Sequence, residues 1–203
     1  MAFTRTLSMI IVFVSLLQAQ AARTPEARVW ALCKPATNPL ACYKTILPHA
    51  VSAKRFNMYN ALETEILATQ QQVQTTSERI SWLLGNPATD KSTKDSLATC
   101  QEQYSSIVDS IHEAIALVAK RNVGEARFQF SAVISFQSSC DDEFEGETSP
   151  IAKESQAVFD LAGNCLDIMK AIEDRESRHH GGTTGAVPTN ATGPCHNTIG
   201  TCA

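Results

Sequence analysis

At 203 residues, with 43% hydrophobic and 6% aromatic content, the chain is long enough for one domain with its own core. Its 17 basic and 21 acidic residues leave a net charge of −4. That balance argues against a nucleic-acid-binding surface, which needs clustered Lys and Arg, and the lack of long alternating apolar runs argues against a sheet protein.

The first 21 residues read as a secretory signal peptide. Arg5 precedes the apolar run Leu7 to Leu17, and Ala19 and Ala21 form the small-x-small pattern of a cleavage site. The run is about half of the roughly 20 residues needed to span a bilayer. A soluble, exported mature chain is expected, one unit more negative once Arg5 is removed. Export makes disulfides the default for its seven cysteines, and the odd number leaves at least one unpaired or bridging chains.

Residues 22–50 contain "ALCKPATNPLACYKTI" (Ala31 to Ile46), two cysteines around a Pro- and Asn-Pro-containing turn. Two short helical pieces folded back at "KPATNP" and clamped by Cys33–Cys42 account for it. Burial alone is too little to hold so small a hairpin, which precedes the bundle and need not share its core.

Residues 51–176 carry four apolar stripes at alternating steps of three and four, the spacing of an amphipathic helix. The first runs Leu62, Ile66, Thr69, Val73, Thr76, Ile80, Leu83 and stops at Gly85 and Asn86-Pro87. Asp90 or Ser92 caps the second, Leu97, Cys100, Tyr104, Ile107, Ile111, Ala114, Val118. After "KRNVG" the third runs Ala126, Phe130, Val133, Gln137, Cys140. An acidic loop and Ser149-Pro150 precede the fourth, Ile151, Val158, Leu161, Cys165, Ile168, Ile172. The expectation is an all-α fold: an N-terminal α-hairpin, then an antiparallel up-and-down four-helix bundle. Cys100 and Cys140 are equidistant from Lys120 in the second turn and both lie on inward stripes, so they pair. Cys165, on the fourth stripe, is expected to be a buried free thiol.

Residues 177–203 are Gly-, Thr- and Pro-rich without periodicity and are expected to form a disordered tail. Cys195 and Cys202 are placed to close a small loop there, and Asn190 heads the only glycosylation triplet.

No catalytic, cofactor or metal constellation emerges. The acidic loop from Asp141 places Ala152 where a calcium loop needs its bidentate Glu. His179-His180 and Cys195-His196 lack paired ligand spacing. A secreted, disulfide-clamped helical bundle without such machinery points to binding another protein. On the outer faces, Glu102, Asp109 and Glu113 of the second stripe's helix and Arg127 and Phe128 of the third's are the expected partner interface.

The segments "CKPATNPLACYKTIL" (Cys33 to Leu47), "LATCQEQYSSIVDSI" (Leu97 to Ile111), "FSAVISFQSSCDDEF" (Phe130 to Phe144) and "FDLAGNCLDIM" (Phe159 to Met169) together resemble the plant invertase and pectin methylesterase inhibitor family. The resemblance covers about Cys33 to Ile172 and implies the same hairpin, bundle and two disulfides. It implies secretion to the apoplast and cell wall, and a stoichiometric, non-covalent complex in which a monomeric inhibitor occludes an enzyme's active-site cleft. Invertase inhibitors use a Pro-Lys-Phe stretch that "RNVGEARFQF" lacks, whereas "FSAVIS" is similar to the Ser-Ala-Ala-rich stretch of the pectin side. "ETSP" leans slightly the other way. Pectin methylesterase is therefore the expected partner. The alternatives are cell-wall or vacuolar invertase, with the vacuole as a second compartment, and a non-inhibitory wall or pollen protein of the same fold.

Overall fold

Each of the first five helices begins on a side chain that takes up an otherwise orphaned backbone N–H. The computed structural model describes residues 24–53, 55–144, 146 and 148–180. Thr24 caps α1, Pro25–Cys33, and Asn38 caps α2, Pro39–Ser52; in both, proline follows at the first helical position. Asn57 caps α3, Met58–Gly85. Asp90, rather than Ser92, caps α4, Lys91–Ala119, accepting from the Thr93 N–H at 3.0 Å and hydroxyl at 2.7 Å. Asn122 caps α5, Val123–Asp142. The last helix, α6, is Ala152–His180. No strand occurs among the described residues.

The helices α3 to α6 form a closed ring in which each packs on the next and α6 returns to α3. Every stripe residue of α3, α4 and α5 is buried. In α6 the stripe is shifted: Leu161 is only half-buried and Ala162 takes the core position beside Val158 and Cys165. Helix α6 meets the hairpin at the next residue, Gly163. Arg121 makes the tight turn between α4 and α5 in the left-handed region, φ 61°, with the Asn122 N–H reaching back to the Leu117 carbonyl at 3.0 Å. Its guanidinium lies 3.8 Å from the centre of the Tyr59 ring, and the Tyr59 hydroxyl donates to Glu176 at 2.7 Å, which ties that end of the ring together.

The hairpin, left open by the sequence as to whether it belongs to the bundle's core, does share it. Val29, Cys33, Cys42 and Ile46 are fully buried in the same apolar cluster as the four stripes. A polar face of α6 holds the hairpin's turn. Asp167 accepts from the Thr37 N–H at 2.7 Å and hydroxyl at 2.8 Å; Asn164 accepts from the Asn38 N–H at 2.8 Å; Asp160 accepts from the Asn38 amide at 2.7 Å. Between them Gly163 lies under Thr37, where an added Cβ would sit 2.6 Å from the hydroxyl oxygen. The four residues, at i, i+3, i+4 and i+7, are one helical face. Helix α6 also continues four residues beyond position 176, to His180, and α2 two residues beyond position 50.

Disulfides join Cys33 to Cys42 and Cys100 to Cys140, with Cα separations of 5.6 and 4.7 Å. Cys165 is unbonded and buried. The signal peptide, Asn190, Cys195 and Cys202 lie outside the described residues. Among the described residues no helix is long and apolar enough to cross a membrane.

Candidate functional site

The buried polar groups are built for structure. Cys165 has the Thr69 hydroxyl 3.4 Å from its sulfur and is fully enclosed; burial pushes its thiol pKa well up, so it is not a nucleophile in waiting. Neither histidine that could serve it as a base is near. His112 is exposed and meets Gln70 at 3.3 Å, and His49 lines a surface groove between α2 and α3. Glu65 is wholly buried: Oε1 accepts from the Asn164 amide at 2.8 Å while Oε2 has no partner. Burial pushes its carboxyl up to about 7, against the opposing pull of the Asn164 bond. A second buried cluster has the Gln137 amide donating to Ser155 at 2.8 Å and the Ser155 hydroxyl donating to Asp141 at 2.7 Å, beside the enclosed Tyr104, whose phenol burial raises to about 12. No group of three or more His, Cys, Asp and Glu among the described residues is arranged to hold a metal ion.

Chemistry aimed outward is therefore a matter of surface. Glu102, Asp109 and Glu113 are all exposed on the outermost side of α4. Phe128 is 71% exposed on α5, the most exposed of the large apolar side chains. Counting outward from Lys120 along the antiparallel pair, Glu113 is level with Arg127, one residue short of Phe128. Arg127 does not join them: its Nε donates to Glu173 of α6 at 2.8 Å, which draws the guanidinium to the other side of α5. One residue that sequence reasoning passed over completes the surface. Leu67 of α3 is 61% exposed and borders an apolar groove of about 270 Å³ with Ile66, Ile115 and Val118. Its signal was available, since a leucine off the helical stripe has no core to enter. Leu67 on α3, Glu113 on α4 and Phe128 on α5 are thus exposed residues of three successive helices of the ring, two apolar and one acidic.

Comparison with known proteins agrees with this architecture. The family described as plant invertase/pectin methylesterase inhibitor matches residues 28–168. A pectinesterase inhibitor from Actinidia deliciosa is 26% identical over 170 residues, covering 83% of this chain and 90% of that protein. Two crystal structures share the fold at 19% identity. A mutant form of a pectin methylesterase inhibitor from Arabidopsis superposes with a TM-score of 0.59, covering 68% of this chain and 92% of that one. A pectin methylesterase inhibitor from Arabidopsis thaliana superposes with a TM-score of 0.54, covering 71% and 95%. The match across hairpin and bundle places the chain in the plant invertase/pectin methylesterase inhibitor family, as an enzyme inhibitor and not an enzyme.

Proposed function

We propose that the chain is secreted and inhibits pectin methylesterase by laying the outer face of α4, with Leu67 and Phe128 on its flanks, across the enzyme's cleft. The observation that carries the choice of target is likeness to the Actinidia pectinesterase inhibitor along 90% of that protein's length. Two features of this chain support it. The stretch Arg121 to Phe130 contains no Pro-Lys-Phe insert for a narrow sugar pocket. A cleft that admits an anionic polymer favours cationic and polar lining, which the stripe of Glu102, Asp109 and Glu113 complements. Helix α4, with 29 residues, is about 43 Å long at 1.5 Å per residue, enough to span such a groove. Rigid helices need no covalent step to block it; an exposed aromatic such as Phe128 supplies an anchor.

Co-elution tests the reading. The mature protein mixed with a plant pectin methylesterase at mildly acidic pH should leave a size-exclusion column as a one-to-one complex, and mixed with invertase it should elute alone. A complex with invertase alone would reverse the assignment.

A further inference from the structure

A groove of about 680 Å³ lies where α1, the start of α3 and the end of α6 meet. Arg28, Arg175 and Arg178 line it, over an apolar floor that includes Leu32, Pro35 and Met58, and no Asp or Glu lines it. The contacts that Arg28 and Arg175 make are not to carboxylates. Arg28 donates to the Phe56 carbonyl at 2.7 Å and lies 5.5 Å from the centre of its ring, and Arg175 reaches the Met58 sulfur at 3.7 Å.

The nearby acids are already engaged. Along α6, Asp167 holds Thr37, Glu173 holds Arg127, Asp174 holds Lys170 and Glu176 holds Tyr59. Glu26 is two residues from Arg28 on α1, a spacing at which side chains do not face each other. Residues 1–23 and 181–203 contain no Asp or Glu. A helix C-terminus favours cations, which explains Arg175 and Arg178 one at a time. It does not explain Arg28 on another helix, nor the apolar floor.

We propose that this groove binds a short acidic oligosaccharide, a uronate chain, at a site separate from the enzyme-binding face. The guanidinium fork matches a carboxylate with two parallel hydrogen bonds, and the C–H faces of pyranose rings suit an apolar floor. On a chain of net charge −4, a local group of three arginines is where a polyanion settles. The choice of a uronate polymer rests on the reading of the target as an enzyme of pectin. Helices α4 and α6 are not neighbours in the ring, and the groove shares no lining residue with the proposed enzyme-binding face, so the inhibitor can hold polymer and enzyme together.

The test uses the full mature chain in calorimetric titrations with a de-esterified galacturonan oligomer, its fully methyl-esterified form, and polyglutamate. Wild type should bind the de-esterified oligomer, more weakly as salt rises to about 200 mM. The methyl ester and polyglutamate should each bind at least about tenfold more weakly, as should the double variant Arg175→Gln/Arg178→Gln for the acidic oligomer. Arg28→Gln, on a separate helix, should also weaken binding, with circular dichroism confirming that each variant is folded. No binding by wild type, or equal binding by folded double variant and wild type, overturns the site. Equal binding of polyglutamate overturns the assignment to a saccharide. Inhibition of pectin methylesterase, measured on the same samples, should be unchanged in the double variant. If wild type binds the oligomer yet fails to inhibit, the target reading falls and the groove stands.

Discussion

Glu65 is the residue on which the packing of this protein depends most sharply on pH. Its carboxyl sits between α3 and α6 with Asn164 as its hydrogen-bond donor, and the titratable group facing it from α6 is the Cys165 thiol. Asn164 also receives the Asn38 N–H, so the buried acid and the hairpin turn share one amide. Below an unfolded-state pKa of about 4.5, Glu65 is protonated whether the chain is folded or not, and it costs nothing in pH-dependent stability. As pH rises toward the folded value of about 7, the unfolded chain ionises first and the fold loses stability, by about 3 kcal/mol once that value is passed. Glu65→Gln removes this slope. Urea midpoints should show the variant gaining about 3 kcal/mol on wild type between pH ~4.5 and ~8; an unchanged difference would mean that Glu65 does not titrate in this range. Gly163 is the second such residue. Alanine is the better helix former by about 1 kcal/mol, yet here its Cβ would fall 2.6 Å from Thr37 Oγ1 and 2.8 Å from Thr37 Cβ. Thr37 is pinned by two bonds to Asp167 and cannot yield. Gly163→Ala should therefore destabilise the fold by about 1–3 kcal/mol; an increase in Tm would show that the hairpin is free to lift.

The elements differ in how openly the sequence announces them. Four stripes at three-and-four spacing were readable because burial in a bundle depends on that period alone, and the level placement of Cys100 and Cys140 about Lys120 follows from the antiparallel turn. The docking of the hairpin was not readable in the same way. It depends on Asp160, Gly163, Asn164 and Asp167, a polar stripe on α6 whose partners, Thr37 and Asn38, are more than a hundred residues away. Periodicity shows that such a face exists but not what it meets. The need for Gly163 has the same origin, since the close approach of Thr37 calls for a missing Cβ there. Buried Glu65 escaped notice because a charged residue beside a stripe reads as solvated. The two disulfides act on elements of different kinds. Chain-entropy estimates give about 4 kcal/mol for Cys100–Cys140 and about 3 kcal/mol for the shorter loop of Cys33–Cys42. Non-reducing peptide mapping should recover these two pairs, with Cys165 alkylated only after unfolding; Cys165 found bonded to Cys100 or Cys140 would contradict the register of the bundle.

At the scale of the whole molecule, the core and the proposed contact surface are separate, and this makes the function testable apart from the fold. Phe128 contributes little to the core at 71% exposure. Phe128→Ala should leave thermal stability within about 0.5 kcal/mol of wild type while weakening the enzyme complex at least about tenfold; an unaltered complex would move the contact away from α5. Arg127, held by Glu173, is expected to matter to stability more than to binding. The ring of four helices of 20 to 29 residues is stapled once inside and once in the hairpin. Closure of the pectin methylesterase cleft by the α4 face is read out by activity titration. Rising amounts of the mature protein added to a fixed concentration of a plant pectin methylesterase at mildly acidic pH should abolish activity at one equivalent, reversibly, with cell-wall and vacuolar invertases unaffected under the same conditions. Invertase inhibition with an active methylesterase, or full activity of both enzymes, would contradict it.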